Sequence, residues 1–319
     1  MTPLQLTAVE RLDRCTVRIT TDAGKSGTGF FFFEPTDVTG QSEGGGYILI
    51  ITCRHVLANA QCVQLIFTLF DAAGNADVVE IDEPLTSFQL VGHIDPDVDL
   101  VCLNISGFMN GVTLDGYTFD FTALGRDWIP GPDVLNEVGV AANVLMVGYP
   151  DGQWDHVNNK PVFRRGITAT NPKISWQGRR EFLIDMAVYQ GSSGSPIVAY
   201  DHGAIGTTGG QIGFGTRSWL IGINQGVYEV DVEGQISING VAEDSVIRAR
   251  LPMNLGECIS ADRINELVDH FRDHMIRLVS DNYSFPSSPA RRSGPLSLLG
   301  EPSVLVPSSP VSLYSPGSS

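Results

Sequence analysis

The stretch "YQGSSGSPIV" (Tyr189–Val198) sets Ser192, Ser193 and Ser195 among Gly191, Gly194 and Pro196. Such clusters make ordinary turns, since glycine supplies positive φ and serine bonds its own backbone. They also make the strained turns that present one hydroxyl to a substrate. Acyl transfer by a hydroxyl needs a general base, a carboxylate that orients the base, and backbone donors for the oxyanion. His55, in "ITCRHVL", directly follows the apolar run "YILIIT" and so stands at a strand end. In "HIDPDVDLVCLNI", Asp99 immediately precedes an apolar strand, while Asp95 and Asp97 fall in the proline-containing turn. Asp99 is therefore the expected orienting carboxylate, with Asp97 as the alternative. Ser193 has Gly191 two positions before it and Gly194 just after, which lets the N–H groups of Gly191 and Ser193 face one oxyanion. The order His, Asp, Ser is one in which such triads occur. Taken singly, each has a plainer reading: a half-buried strand-end histidine, a strand-capping aspartate, a surface turn.

These residues need a rigid platform, and the chain supplies strand after strand. "CTVRITT" and "TGFFFF" are joined by the turn residues of "DAGKSG", and "GYILIIT", "QLIFTLF", "VVEI" and "DLVCLNI" follow at barrel-like spacing. After a Pro/Gly/Asp break at 130–133 come "NVLMVGYP", "FRRGITAT", "EFLIDMA", "SPIVAY", "SWLIGINQGV" and "GECISA". "GTTGGQIGFG" reads as a long hairpin between two of them. The period then changes, and Ile264, Leu267, Phe271, Met275, Ile276 and Leu278 are expected on one helical face, capped by Ser260 or Asp262. The expected organisation is one domain over 1–282: a first barrel at about 12–128, a second at about 134–260, and a closing helix at about 261–280. Residues 283–319 are Pro/Ser-rich and are expected to be disordered.

Composition narrows the function. A net charge of −16 over 319 residues argues against a nucleic-acid or anionic-membrane surface. The apolar runs are too short to span a bilayer. The N-terminus shows no secretion signal, and five cysteines without CxxC spacing suggest reduced thiols and a cytoplasmic location. "HFRDH" at 270–274 places two histidines at i and i+4, but Asp273 is a poor substitute for a glutamate base, so a solvated face is expected. "DGQWDH" reads as a polar loop. No metal or cofactor is expected.

Six ordered blocks resemble the trypsin/chymotrypsin-like serine peptidases, especially the HtrA-like branch. They are "GTGFFF", "ITCRHVL" around His55, "DVDLVCL" around Asp99, "VGYP", "FLIDMAVYQGSSGSPIV" around Ser193, and "LIGINQGV". "NLGECISADRINELV" resembles the last barrel strand and closing helix, so the likeness covers about residues 12–280. It implies an all-β fold of two packed six-stranded antiparallel barrels with a C-terminal helix, and catalysis by His55, Asp99 and Ser193 in the cleft between them. It further implies an oxyanion hole of Gly191 and Ser193, and a specificity pocket from Ala187, Val188, Asn224, Gln225, Gly226 and Gly256. With no acid at the pocket floor, cleavage is expected after small or aliphatic residues of protein or peptide substrates, not after Lys or Arg. The chain also departs from the family. Ser192 replaces the aspartate that pairs with a freed N-terminus in secreted relatives, Val56 the cysteine beside the catalytic histidine, and Ser195 a frequent glycine. No PDZ module is expected after residue 280. The rival reading is a non-catalytic or chaperone-like protein-binding module on the same fold.

Overall fold

The computed structural model describes residues 6–36, 45–206, 212–238 and 241–283, and the Pro/Ser-rich stretch from residue 284 onward lies outside them. The first sheet holds eight strands: β1 (Thr16–Thr21), β2 (Ser26–Pro35), β3 (Gly46–Cys53), β4 (Cys62–Phe70), β5 (Ala76–Pro84), β6 (Gln89–Gly92), β7 (Leu100–Asn104) and β8 (Thr118–Phe119). They run in the order β5-β4-β1-β2-β3-β7-β6, with β8 on the edge of β4. Helices α1 (Ala8–Leu12), α2 (Arg54–Leu57) and α3 (Ser106–Leu114) flank it, and α4 (Pro132–Leu135) lies in the connection to the second sheet. That second sheet is a closed barrel of β9 (Asn143–Gly148), β10 (Val162–Thr168), β11 (Glu181–Asp185), β12 (Pro196–Gly206), β13 (Ile212–Ile238) and β14 (Val241–Ser260). Helix α5 (Asp262–Tyr283) follows.

The first half therefore departs from the expected six-stranded barrel. It has two further short strands, β6 and β8, and among the described residues its outer strands β5 and β6 do not pair. The sequence of β5 explains its place at an edge. Asp77, Glu80, Asp82 and Glu83 give it an acidic, solvent-facing character that discourages further strand pairing.

Strand β2 is buried almost throughout and runs through the core of the first half, where Phe31 packs against Phe67 and Phe121. Phe30, Phe32, Leu49, Ile50, Ile51, Leu100 and Leu103 fill that core. Val147, Val198, Leu220, Ile223 and Ile259 from the second sheet join the same cluster, so one continuous core joins the two halves. A separate cluster of Val144, Met146, Phe182, Ile184 and Ile197 fills the second barrel.

On α5 the buried stripe is Ile264, Leu267, Val268 and Phe271, and Phe271 meets Tyr47 edge-on at 5.2 Å. Two members of the expected face do not belong to it: Ile276 is 60 % exposed and Leu278 is also exposed. The helical period accounts for Ile276, which lies off the stripe shared by 264, 267, 268, 271 and 275, whereas Leu278, seven residues after Phe271, keeps to the stripe but falls in the exposed last turns of the helix. The Glu34 side chain, only 1 % exposed, pairs with Arg126 at 2.9 Å and with Arg272 of α5, pinning the helix to β2.

Candidate active site

His55 lies in the single turn of α2 that follows β3, and Asp99 immediately precedes β7. β3 and β7 are antiparallel neighbours with Cys53 opposite Leu100, so the two residues leave the same end of the sheet side by side. Arg54 clamps the loop carrying the carboxylate, donating to Pro96 O and Val98 O at 3.0 Å each. The Asp99 carboxylate then engages His55 twice. Oδ1 accepts the His55 backbone N–H at 2.9 Å, and Oδ2 forms a short contact with Nδ1. With Nδ1 engaged, Nε2 is the nitrogen left to act as a base. Asp97, the alternative, donates its N–H to Asp95 Oδ1 within the turn.

The serine turn is built differently. Gly191 (φ +82°) and Gly194 (φ +89°) adopt left-handed backbone that disfavours side chains. A Cβ at Gly191 would also collide with Tyr149 O, and one at Gly194 with Thr28 O. Of the three serines, Ser192 and Ser195 are buried, at 1 % and 0 % exposure, and only Ser193 reaches solvent. Ser195 is packed so closely over Gly148 that a Cβ there would strike its Oγ. Accessibility thus singles out Ser193.

The Ser193 hydroxyl donates to Gln225 O at 3.3 Å rather than to His55. Among the described residues, neither the Gly191 nor the Ser193 N–H has a protein acceptor. Both donors are available to a developing oxyanion.

Thr28 joins the two halves; the sequence placed it in the "GTGFFF" block without assigning it a role. Its N–H donates to Ser193 O at 2.8 Å, and its hydroxyl donates to Gly191 O at 2.9 Å while accepting the Tyr149 N–H at 3.1 Å. Its carbonyl accepts from the Thr52 hydroxyl at 2.7 Å. Lys25 Nζ, donating to His55 O at 2.7 Å, likewise had no role assigned. The only signal available was their place in "KSGTGF", at the start of β2.

Of the pocket residues, Val188, Asn224 and Gly256 come together: a Cβ at Gly256 would lie 2.8 Å from Val188 Cγ2 and 3.1 Å from Asn224 Oδ1. Val188 and Asn224 are buried. Asn224 also braces the serine turn, donating from Nδ2 to Ser192 O at 3.2 Å and accepting the Gly194 N–H at 2.8 Å. Gln225 lies against Ser193, and Gly226 has open space where a Cβ would stand. Ala187 lies at the surface, its carbonyl under the Arg164 guanidinium, which stacks on Tyr189 at 4.7 Å.

Cys53 Sγ lies with the donor atoms of His55 and Asp99 inside a 4.8 Å cluster of metal-ligand type. Burial, reinforced by the Asp99 charge, pushes the Cys53 thiol well up, and it donates to Asn224 O at 3.4 Å. A protonated thiol is a poor ligand. His270 and His274 join no cluster of three potential ligands among the described residues. No helix there is long and apolar enough to cross a membrane.

The model of the trypsin-like peptidase domain matches residues 27–206, more than half of the chain, and the protein belongs to that family. No curated protein matches it in sequence. Solved structures similar to it include the HtrA-type protease AlgW with a tripeptide, at 17 % identity and a TM-score of 0.44 over 83 % of this chain. The chain spans 61 % of that protein's length. Also similar is the MamO protease domain from Magnetospirillum magneticum in its apo form, at 13 % identity and a TM-score of 0.37. That match covers 82 % of this chain and 97 % of the other.

Proposed function

We propose that the protein is a serine endopeptidase working through an acyl-enzyme. His55 Nε2 takes the Ser193 proton as Oγ attacks the scissile carbonyl, and Asp99 holds the imidazolium through Nδ1. The Gly191 and Ser193 N–H groups receive the oxyanion. His55 returns the proton to the leaving amine, and water then releases the acyl group by the same steps in reverse. Cleavage follows small or aliphatic residues, on the strength of Val188, Gly226 and Gly256 in the pocket positions. The unpaired cysteines support a reducing, cytoplasmic compartment.

The observation that carries this reading is the pair of amides without acceptors among the described residues, beside the one serine of the turn that reaches solvent. Backbone donors in a packed turn are ordinarily paired, and two left open around a hydroxyl suit a transient negative oxygen. The Ser193 hydroxyl resting on Gln225 O is what favours the alternative, a non-catalytic or chaperone-like binding module. A fluorophosphonate probe decides between them: labelling mapped to Ser193, lost in His55→Ala, supports the peptidase. A pure protein that neither labels nor cleaves a denatured protein library sinks it. Dominant cleavage after Lys or Arg in that library would overturn the pocket assignment alone.

A further inference from the structure

β13 does not stop where the barrel does. Its last pairing with β12 is Ile223 opposite Pro196, and beyond Val227 it continues to Ile238 with β14 as its one strand partner among the described residues. The matching stretch of β14, from Val241 to Pro252, likewise has no second strand partner among the described residues. The register divides this ribbon into two unlike faces. Glu229, Asp231 and Glu233 stand opposite Pro252, Arg250 and Arg248, while Val230 and Val232 stand opposite Leu251 and Ala249. The charged face is closed on itself by Asp231–Arg250 at 3.3 Å and Glu233–Arg248 at 2.8 Å. The apolar face is bare: Val230 is 43 % and Leu251 50 % exposed. Two-stranded ribbons are marginal in water on their own, so an apolar face with open edges calls for an occupant.

Its size argues against a second copy of the chain. Residues 229–238 make a ribbon about 33 Å long and about 10 Å wide, so two stacked faces would bury roughly 600–700 Å², well under the roughly 1,200 Å² of a stable interface. Its origin points elsewhere. β13 is the strand against which the serine turn rests, through Ser193 Oγ to Gln225 O at 3.3 Å and Gly194 N to Asn224 O at 2.8 Å. Beyond Asn224, whose N–H and C=O are taken by Ser195 and Gly194 of the serine turn, no second strand among the described residues pairs with β13, from the site into the ribbon. The Trp176 indole anchors the root by donating to the Tyr228 hydroxyl at 3.1 Å.

We propose that the ribbon is a docking rail for one flank of the polypeptide being cleaved. An extended segment with apolar side chains at alternate positions adds as a third strand to the open edge of β13 and lays those side chains beside Val230, Val232 and Leu251. This rests on the peptidase reading and gives it a substrate class: unfolded chains with a β-prone apolar stretch at a distance from the cleaved bond. Irregularities at Gln225 and Tyr228 break the pairing register, so regular recognition starts at Glu229, about 13 Å along the strand from Gln225. Because the ribbon leaves the site in one direction, only one flank reaches it.

Two measurements on the full chain test this. Fluorescein-labelled fourteen-residue peptides are titrated into Ser193→Ala protein and followed by anisotropy. A peptide alternating valine and threonine should bind at least tenfold more tightly than the same peptide with proline at every third position. Val230→Lys with Leu251→Lys, both at exposed sites, should erase that difference while circular dichroism stays unchanged. With active protein, peptides are lengthened stepwise from one cleavage site. Extension past about five residues on one flank should raise kcat/KM at least tenfold, and the double substitution should bring the long-to-short ratio near one. Equal binding of the two peptides, or a length effect on both flanks, overturns the rail. So does sedimentation showing a dimer that the substitutions dissolve, which gives the ribbon to a second copy. Binding that appears only after truncation at residue 283 gives it to the chain's own tail. Cleavage of short peptides without any length effect refutes the rail and leaves the peptidase standing. Ribbon-dependent binding without cleavage or probe labelling refutes the peptidase and leaves a docking surface.

Discussion

His55 and Asp99 meet side chain to side chain, whereas Ser193 is held by its backbone and its hydroxyl is turned to a neighbouring carbonyl. The first pair belongs to one sheet and is set by the register of two adjacent strands, with Arg54 closing the loop between them. The serine turn belongs to the other sheet and is placed by Asn224 of its own barrel and by Thr28 across the join. The histidine half is thus complete within its own sheet. The serine half depends on docking.

The largest test breaks both halves at once. Ser193→Ala and His55→Ala should each lower kcat by about a millionfold, and the double substitution little further, because triad members act as a unit. A double variant much worse than either single one would show that the two residues do not cooperate. Next comes Asp99→Asn, which keeps the shape but permits the wrong imidazole tautomer, and should lower kcat about ten-thousandfold with the fold intact by circular dichroism. A loss below tenfold would move the orienting role elsewhere.

Thr28→Val sharpens the comparison, since it keeps the shape of the side chain and removes its two hydrogen bonds. Gly191 O and Tyr149 N would each lose a partner, at roughly 1–3 kcal/mol apiece. Fluorophosphonate labelling should slow on the order of tenfold to a hundredfold, while the His55–Asp99 proton signal in NMR stays where it was. A shift of that signal would mean that the halves are not independent.

The smallest expected effect is on acid stability. His93 is buried, with Nδ1 accepting the Asp95 N–H at 3.0 Å and Nε2 3.3 Å from Glu266; Arg263 bonds both acids. Burial holds its pKa below the usual histidine value, so the unfolded chain binds the proton more readily. The stability it contributes is present above about pH 6.5 and is lost as the pH falls below that. Thermal melts from pH 7.5 to 5 should show the decline, and His93→Gln should flatten it. An unchanged slope in that variant would assign the acid sensitivity to other groups.

Much of this architecture was legible from the chain alone. Alternation and turn residues marked most strands, and His55, Asp99 and Ser193 stood out because each type falls at a strand end or between glycines. The short strands β6 and β8 and the ribbon beyond Val227 were harder to see. "VYEVDVEG" alternates like any half-buried strand, and nothing local says that its apolar side is bare.

What the sequence determined by itself, then, is which residue types occur and which faces are apolar, because those are properties of spacing along one strand or helix. The tertiary structure decided which of three neighbouring serines meets solvent, which amides stay unpaired, and that Thr28 staples the two sheets. Those outcomes follow from how one backbone docks on another more than a hundred residues away, and from hydrogen bonds to main-chain atoms that every residue carries.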